Sequence, residues 1–438
     1  VNLQELNAAL QNGGFDRIFR YLYEGNGEEL IKERLRYLRA AERFSGYYGK
    51  RREVELFSAP GRTEIGGNHT DHQHGCVLAA SVNMDAIAVA SRTENGKIRI
   101  KSEGFSEDVI DLSDLSIKED EKNCSASLIR GIAAWFQNKG GKIGGFDAYT
   151  TSNVLSGSGL SSSAAFEVLV GTILNGLYNE QKFSPVEIAQ AGQYAENTYF
   201  GKPSGLLDQA SCSVGGFVAF DFADPQKPLV EKVTFDFSNS GYTLCVVDTH
   251  ASHANLTPDY AAIPKEMKAV ASFFGKDFLR DVPEETFYQN LREVRKSAGD
   301  RAALRAMHFF AENRRAQEET KCLKMKDLDK FFQLLIDSGR SSFMYLQNVY
   351  SPAHPEQQAV SLTLGLCERL LSKTGGSWRI QGGGFAGTVQ AFVPNENLEL
   401  FRKEMDAFLG EGSCHVLKIR PVGGVFLTQE NGKEICDG

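Results

Sequence analysis

Residues 61–75, GRTEIGGNHTDHQHG, set an Arg, a Glu, an Asp and three histidines among glycines. Such a set can bind a metal, cradle a phosphate or read hydroxyl groups, and the stretch alone leaves these open. His69, Asp71, His72 and His74 are residue types that suit zinc. Structural zinc ligands, however, are usually spaced more widely and supported by further Cys or His, so a loop role is preferred for His72 and His74. Residues 156–165, SGSGLSSSAA, lead into the apolar helical pattern FEVLVGTILNGLYNE. A Gly-Ser run opening a helix aims free N–H groups at an anion, although a Ser-rich turn with an N-cap reads the same way. It lacks the lysine and the spacing of a P-loop. Further on, AENTYFGKPSGLLDQ carries Glu196 and Asp208, which the Gly-Pro-Ser-Gly break can bring to one mouth. One acid can hold a metal ion while the other accepts a proton. The alternative makes Asp208 a helix N-cap and Glu196 a surface charge. In RIQGGGFAGTVQAFV, glycines between two strand-like segments permit either close approach to a ligand or neighbouring strand, or a plain hairpin turn.

The elements that must position these residues follow from periodicity. GEELIKERLRYLRAAERF predicts helix within the first fifty residues. VELFSAP, GCVLAASV, AIAVASRT and KIRIKSE predict short strands, followed by a helix around SASLIRGIAAWFQ, a strand at GFDAYTTS and a long helix from about Ser161. Past YTLCVVDT the chain reads as helical from Pro258 to about Lys373. It closes with strands at WRIQ, TVQAFV and HVLKIRP around the helix NLELFRKEMDAFL. The order, β-rich and then mixed, is not a regular βαβ alternation. Turn residues in ADPQKP place a boundary near 225–240, dividing the chain into 1–230 and 231–438.

The composition limits the function classes. A chain of 438 residues predicts two domains, and 42% hydrophobic with 24% charged residues is ordinary for a globular protein. A net charge of -8 and a pI near 5.6 argue against a nucleic-acid partner. No apolar run approaches a membrane span, and the opening VNLQELNAALQNGG lacks the pattern of a secretory signal, so no membrane partner and a cytoplasmic location are expected. Eight scattered cysteines without a CxxC pair read as reduced, buried thiols.

Taken together, APGRTEIGGNHTDH, SGSGLSSSAA and GGGFAGT, in that order, resemble the three motifs of the GHMP kinases. AENTYFGKPSGLLDQ is similar to a segment of the galactokinase branch, and AMHFFAENRRAQ more weakly resembles a later helix of that branch. The resemblance spans most of residues 52–430. It implies a two-domain α+β fold with the active site in the interdomain cleft, and transfer of phosphate from ATP to the anomeric hydroxyl of a sugar, galactose first. By position, Gly157, Ser158, Gly159, Leu160, Ser161, Ser162 and Ser163 would wrap the ATP phosphates, and Ser163 and Glu196 would hold Mg²⁺. Asp208 would accept the sugar proton, Arg62 would offset the transition-state charge, and Asn68, His69, Thr70, Asp71 and Tyr260 would grip the sugar.

Several positions depart from the family pattern. Glu64 stands where the motif has Asn, Asn68 where it has an acid, His72 where it has Tyr, Leu155 where Pro is usual, and Ala386 within the late glycine run. An amide at Asn68 both donates and accepts, which would suit a different or C6-modified sugar. A non-catalytic sugar and ATP sensor on the same fold is the contrasting class. The intact Ser161, Ser162, Ser163, Ala164 and Asp208 favour the enzyme.

Overall fold

Two long strands form the spine of the molecule, β1 (Glu55–Gly66) and β2 (Cys76–Thr93), paired antiparallel. Side chains alternate faces along a strand, so the two faces carry separate cores. Leu56, Ile87 and Val89 face the helices α1 (Leu3–Gln11), α2 (Asp16–Tyr23) and α3 (Gly27–Tyr48), meeting Leu10, Phe19, Leu22, Tyr37 and Phe44. Phe57, Ala88 and Ala90 face the opposite core, with Ile129 and Phe136 of α4 (Ser125–Asn138) and Leu169 and Ile173 of α5 (Ser162–Tyr178). The computed structural model describes residues 1–25, 27–155, 157–202, 204–252 and 256–428.

The first sheet also contains β3 (Lys97–Ser102), β4 (Glu107–Asp111), β5 (Gly145–Ser152), β6 (Phe217–Asp221) and β7 (Leu229–Val233). A second, four-stranded antiparallel sheet holds β8 (Tyr242–Ala251), β9 (Ser377–Ile380), β10 (Gly387–Pro394) and β11 (Cys414–Leu417) in the order β11-β8-β10-β9. The final strand, β12 (Val425–Leu427), returns to the first sheet and pairs with β1, giving the order β12-β1-β2-β5-β3-β4 with β6 and β7 branching from β2. The architecture is α+β.

Two sequence expectations change here. GCVLAASV and AIAVASRT are one strand, because β2 pairs with β6 along its first half and with β5 along its second. Polar residues between them, which read as a break, are paired by the C-terminal segment: Asn83 and Lys418 exchange two hydrogen bonds, and Arg420 donates to buried Asp85 at 2.8 Å. A division at 230/231 falls inside β7, and β12 completes the first sheet from far beyond it. The turn residues of ADPQKP join β6 to β7 as a hairpin, a signal that a domain boundary shares. Seven cysteines are free thiols; all are buried except Cys124, which is exposed, and Cys436 lies outside the described residues. No described helix is long and apolar enough to cross a membrane.

Candidate active site

The glycine-serine loop alternates its faces. Ser158 and Leu160 are buried, whereas Gly157 and Gly159 are exposed, with φ of 75° and 73° that glycine adopts without strain. Carbonyls of the loop point inward: Thr388 donates to Ser158 O at 2.8 Å, Gln381 to Gly159 O at 3.3 Å, and the Arg62 amide to Leu160 O at 3.0 Å. Because a trans peptide sets its N–H opposite its C=O, the N–H groups of Gly159, Leu160 and Ser161 face away from the protein. They join the unbonded first-turn donors of α5, whose N-cap Ser161 has φ 56°. The result is an outward-facing nest of donors suited to an anion, in which the side chains of Ser158 and Leu160 take no part. Ser156 lies outside the described residues.

Asp208 stands against this nest, in the first turn of α7 (Leu207–Val214). Its carboxylate does not cap the helix. Oδ1 accepts from Arg62 Nε at 2.9 Å and Nη2 at 2.8 Å, and Oδ2 accepts from Ser161 Oγ at 2.6 Å. Burial alone would raise its pKa, but the Arg62 charge and the Ser161 bond outweigh it and hold the carboxyl below its ordinary value. The Asp208 side chain remains 36% exposed, so the ionised group is open to the cleft.

Glu196 begins a single π-turn, Glu196–Phe200, that continues α6 (Pro185–Ala195). It is buried rather than a surface charge. Gln209 Nε2 bridges it to a second buried acid, donating to Glu196 Oε2 at 3.0 Å and to Glu167 Oε2 at 2.9 Å. Ser204 also donates to Oε2, while Oε1 accepts from Lys202 at 3.3 Å. Burial, then the Glu196 charge, pushes the Glu167 carboxyl well up, toward the neutral acid. Ser163 lies one helical turn before Glu167 on the same face of α5 and is exposed. Ser162 and Ser163 also line a cavity of about 870 Å³ whose apolar walls include Phe105, Leu128, Phe166 and Phe200.

Two consecutive carbonyls of the late glycine turn hold the 61–75 loop, and the next one holds Tyr260. Asn68 Nδ2 donates to Gly382 O at 2.7 Å, His69 Nε2 to Gly383 O at 2.9 Å, and Tyr260 OH to Gly384 O at 2.9 Å. A Cβ on Gly383 would sit 2.9 Å from the Tyr260 ring, so glycine is what lets that ring lie on the turn. Asn68 is fully buried and saturated. Its second amide hydrogen goes to Glu64 Oε1 at 2.8 Å, and its Oδ1 accepts from Asn348 at 2.9 Å and Ser342 at 3.3 Å. Thr70 is likewise buried, its hydroxyl against Gly67 O and Cys76 O. The expectation that Asn68 and Thr70 grip a sugar is therefore corrected: both spend their hydrogen bonds inside the protein. His69 and Asp71 stay partly exposed. Burial first, and then the Asp208 charge, raises the Asp71 carboxyl against the opposing pull of His69, and its Oδ2 faces Gly205 just ahead of α7. His74 stacks on Phe278 with ring centroids 3.6 Å apart, away from the other two loop histidines.

Sequence reasoning missed the scaffold behind this loop. Along the helix Asp300–Met325, His308 Nε2 donates to Asn68 O at 2.9 Å, and Glu312 Oε1 accepts from the amides of Gly67 and Asn68 at 3.1 and 3.2 Å. Asn313 Oδ1 accepts from the Cys76 amide at 2.8 Å. The signal was the i,i+4 pairing of His308 with Glu312 inside AMHFFAENRRAQ, polar residues on an otherwise apolar helix. Glu167 and Gln209 carried no comparable signal beyond their adjacency to the motifs.

Comparisons with known proteins agree with this geometry. The family model described as the GHMP kinases N terminal domain matches residues 127–216, and the galactokinase galactose-binding signature matches residues 42–92. The galactokinase of Actinobacillus pleuropneumoniae serotype 3 is 30% identical over 370 residues, covering 83% of this chain and 91% of that protein. That of Streptomyces coelicolor is 29% identical over 377 residues, covering 85% and 92%. The crystal structure of Lactococcus lactis galactokinase complexed with galactose superposes with a TM-score of 0.73 at 27% identity, covering 88% of this chain and 98% of that one. Methanococcus jannaschii mevalonate kinase, at 14% identity and a TM-score of 0.60, shares the fold. The glycine-serine loop, Asp208 and the 61–75 loop are thus joined through Ser161 and Arg62, and the chain belongs to the galactokinase branch of the GHMP kinases.

Proposed function

We propose that the protein transfers the terminal phosphoryl group of ATP to the anomeric hydroxyl of galactose, giving galactose 1-phosphate and ADP. The observation that carries this reading is the Ser161–Asp208–Arg62 cluster, which sets an ionised, cleft-facing carboxylate directly beside the outward N–H groups of the loop. Phosphates bound to that nest would lie within reach of a sugar hydroxyl on Asp208. The 870 Å³ cavity beside Ser162 and Ser163, with its aromatic walls, suits the nucleoside. Asp208 accepts the hydroxyl proton as the new P–O bond forms. Its low proton affinity means that it is always ionised at neutral pH and takes the proton only as the oxygen gives up charge to phosphorus. Arg62 fixes the carboxylate's orientation and offsets negative charge on the transferring group. Asp71, whose carboxylate makes no side-chain hydrogen bond among the described residues, accepts from sugar hydroxyls; His69, with Nε2–H committed to Gly383, offers Nδ1 as an acceptor.

Ser163 and Glu196 supply the hard oxygen donors that Mg²⁺ prefers, with Glu196 Oε1 only weakly engaged by Lys202. Bound there with the phosphates, the ion would neutralise charge on the leaving group. The test is sugar-dependent ADP release across free hexoses, pentoses, hexuronic acids and C6-modified galactoses. Galactose should give the highest kcat/KM. No ADP release with any sugar would refute the reading in favour of a sensor, and a higher value for another sugar would reassign the substrate.

A further inference from the structure

Away from the candidate active site, a cavity of about 1180 Å³ opens between α3 and the end of β5. Most of α3, with α1 and α2, precedes both segments matched by the family models. Arg36, Arg39 and Arg43 recur at helical spacing along the face of α3 that lines this cavity, and Lys50 follows them. Glu42 and Glu103 also line it, so the cavity keeps an excess of cations over acids in a chain of net charge -8. Arg36 is consumed by Glu33 and Asp85. Arg39 and Arg43 are exposed and make no hydrogen bond or ion pair among the described residues. The facing wall differs in chemistry: Thr151 donates to Glu103 and Asn153 Oδ1 accepts from the Asp85 amide, which leaves the Glu103 carboxylate and the Thr151 oxygen as acceptors and the Asn153 Nδ2 group as donor toward hydroxyls, beside buried Tyr149. Glu103, Thr151 and Ser152 also line the 870 Å³ cavity, so the two spaces share a rim at the end of β5.

We infer that this cavity binds a sugar phosphate, its phosphate on Arg39 and Arg43 and its hydroxyls on the Glu103–Asn153 wall, as a regulatory site separate from the catalytic cleft. Two guanidinium groups without a hydrogen bond or ion pair among the described residues meet a dianion's need for charge-assisted bonds, whereas the carboxylates of Glu42 and Glu103 disfavour a purely anionic ligand and favour one rich in hydroxyls. The coupling route is short. Asn153 exchanges two hydrogen bonds with the backbone of Asp85 and leads directly to Val154. Val154 packs 3.0 Å from where a Cβ on Gly61 would stand, next to Arg62, and the glycine-serine loop follows it in the chain. An occupant that orders the end of β5 therefore acts on both flanks of the phosphate nest. The product of the proposed reaction belongs to this ligand class, and that identification rests on the proposed function; the binding claim itself does not.

The experiment titrates the full chain by calorimetry, with its cleft saturated by galactose and a non-hydrolysable ATP analogue, against galactose 1-phosphate, inorganic phosphate and ADP in parallel. Galactose 1-phosphate should bind the blocked protein, and Arg39→Ser/Arg43→Ser should weaken that binding at least about tenfold while leaving kcat and KM for both substrates unchanged. In turnover, inhibition by galactose 1-phosphate should contain a component that neither galactose nor ATP relieves, and the double variant should lose it. No binding to the blocked protein, or equal binding by the double variant, overturns the site. Inorganic phosphate or ADP binding as tightly as the sugar phosphate overturns the assigned class. A native protein that phosphorylates no sugar refutes the proposed function instead, and the dependence of binding on Arg39 and Arg43 is read independently of that outcome.

Discussion

Replacing Asn68 by the acid that the family motif carries should destabilise this protein rather than retune it. In Asn68→Glu, two amide hydrogens disappear, one from Glu64 Oε1 at 2.8 Å and one from Gly382 O at 2.7 Å, in a position with no solvent exposure. Glu64 Oε1 keeps its bond from Arg379, whereas Gly382 O is left without a donor among the described residues, which costs about 1–3 kcal/mol. A second carboxylate then faces Glu64 with one buried cation, Arg379, which already donates to Glu64 Oε1 at 3.0 Å. Protonation of one acid relieves part of the repulsion, and the net loss is on the order of 3–5 kcal/mol, a large share of a typical folding free energy. Glu64→Asn alone should be comparably costly, because it leaves Arg379 buried without its carboxylate. The exchange Glu64→Asn/Asn68→Glu returns one carboxylate and one amide to the same contact and should recover about 2–3 kcal/mol relative to the sum of the single changes. Urea unfolding of the four proteins at pH 7 measures this cycle. A single Asn68→Glu within about 0.5 kcal/mol of the native protein, or additivity of the two changes, would refute the reasoning.

Three further outcomes follow from the same geometry. Asp208→Asn removes the proton acceptor but keeps a polar group of the same shape, so turnover should fall about a hundredfold or more while sugar and nucleotide still bind; near-normal turnover in the folded variant would remove Asp208 from the chemistry. Ser163→Ala should raise the Mg²⁺ concentration needed for half-maximal rate more than it raises KM for sugar, and an unchanged Mg²⁺ dependence would assign the ion to other donors. The buried histidines should cost stability as the pH drops below about 6.5, against the opposite effect of the raised Glu167 and Asp71 carboxyls, because burial lowers His308 to about 4 and His72 to about 3 from 6.5, so at these two rings the unfolded chain takes up protons that the folded chain refuses. For fully buried His308 the slope approaches about 1.4 kcal/mol per pH unit between its two pKa values, and Glu312, held down at about 2 from 4.5 by Arg315 against the cost of burial, adds to the loss below pH 4.5. The check is the difference in thermal midpoint between the native protein and His308→Gln: it should turn against the native protein from pH 7 to 5, and a difference that stays constant would contradict this.

Local chemistry was legible in the chain itself. A Gly-Ser run before an apolar helix forms a donor-rich helix start wherever it is placed, because glycine φ and the unpaired first-turn amides are local properties. The glycines of RIQGGGFAG likewise make their turn between β9 and β10 from their own backbone freedom. The helical first fifty residues and the largely helical stretch after Pro258 follow from periodicity. What the chain could not state was direction. Asn68 and Asp71 stand three residues apart with similar polarity, yet one is saturated and the other open. That difference is decided by Gly382 and Asn348, 314 and 280 residues away, whose groups arrive only when the second sheet packs on the first. The Asp208–Arg62 contact spans 146 residues in the same way, and the return of β12 to β1 depends on an edge that β1 leaves unpaired. A sequence lists donors and acceptors and sets their local spacing. Which of them are spent within the protein and which remain for a ligand depends on partners brought close by tertiary packing, since a buried polar group must find its bond wherever the fold supplies one.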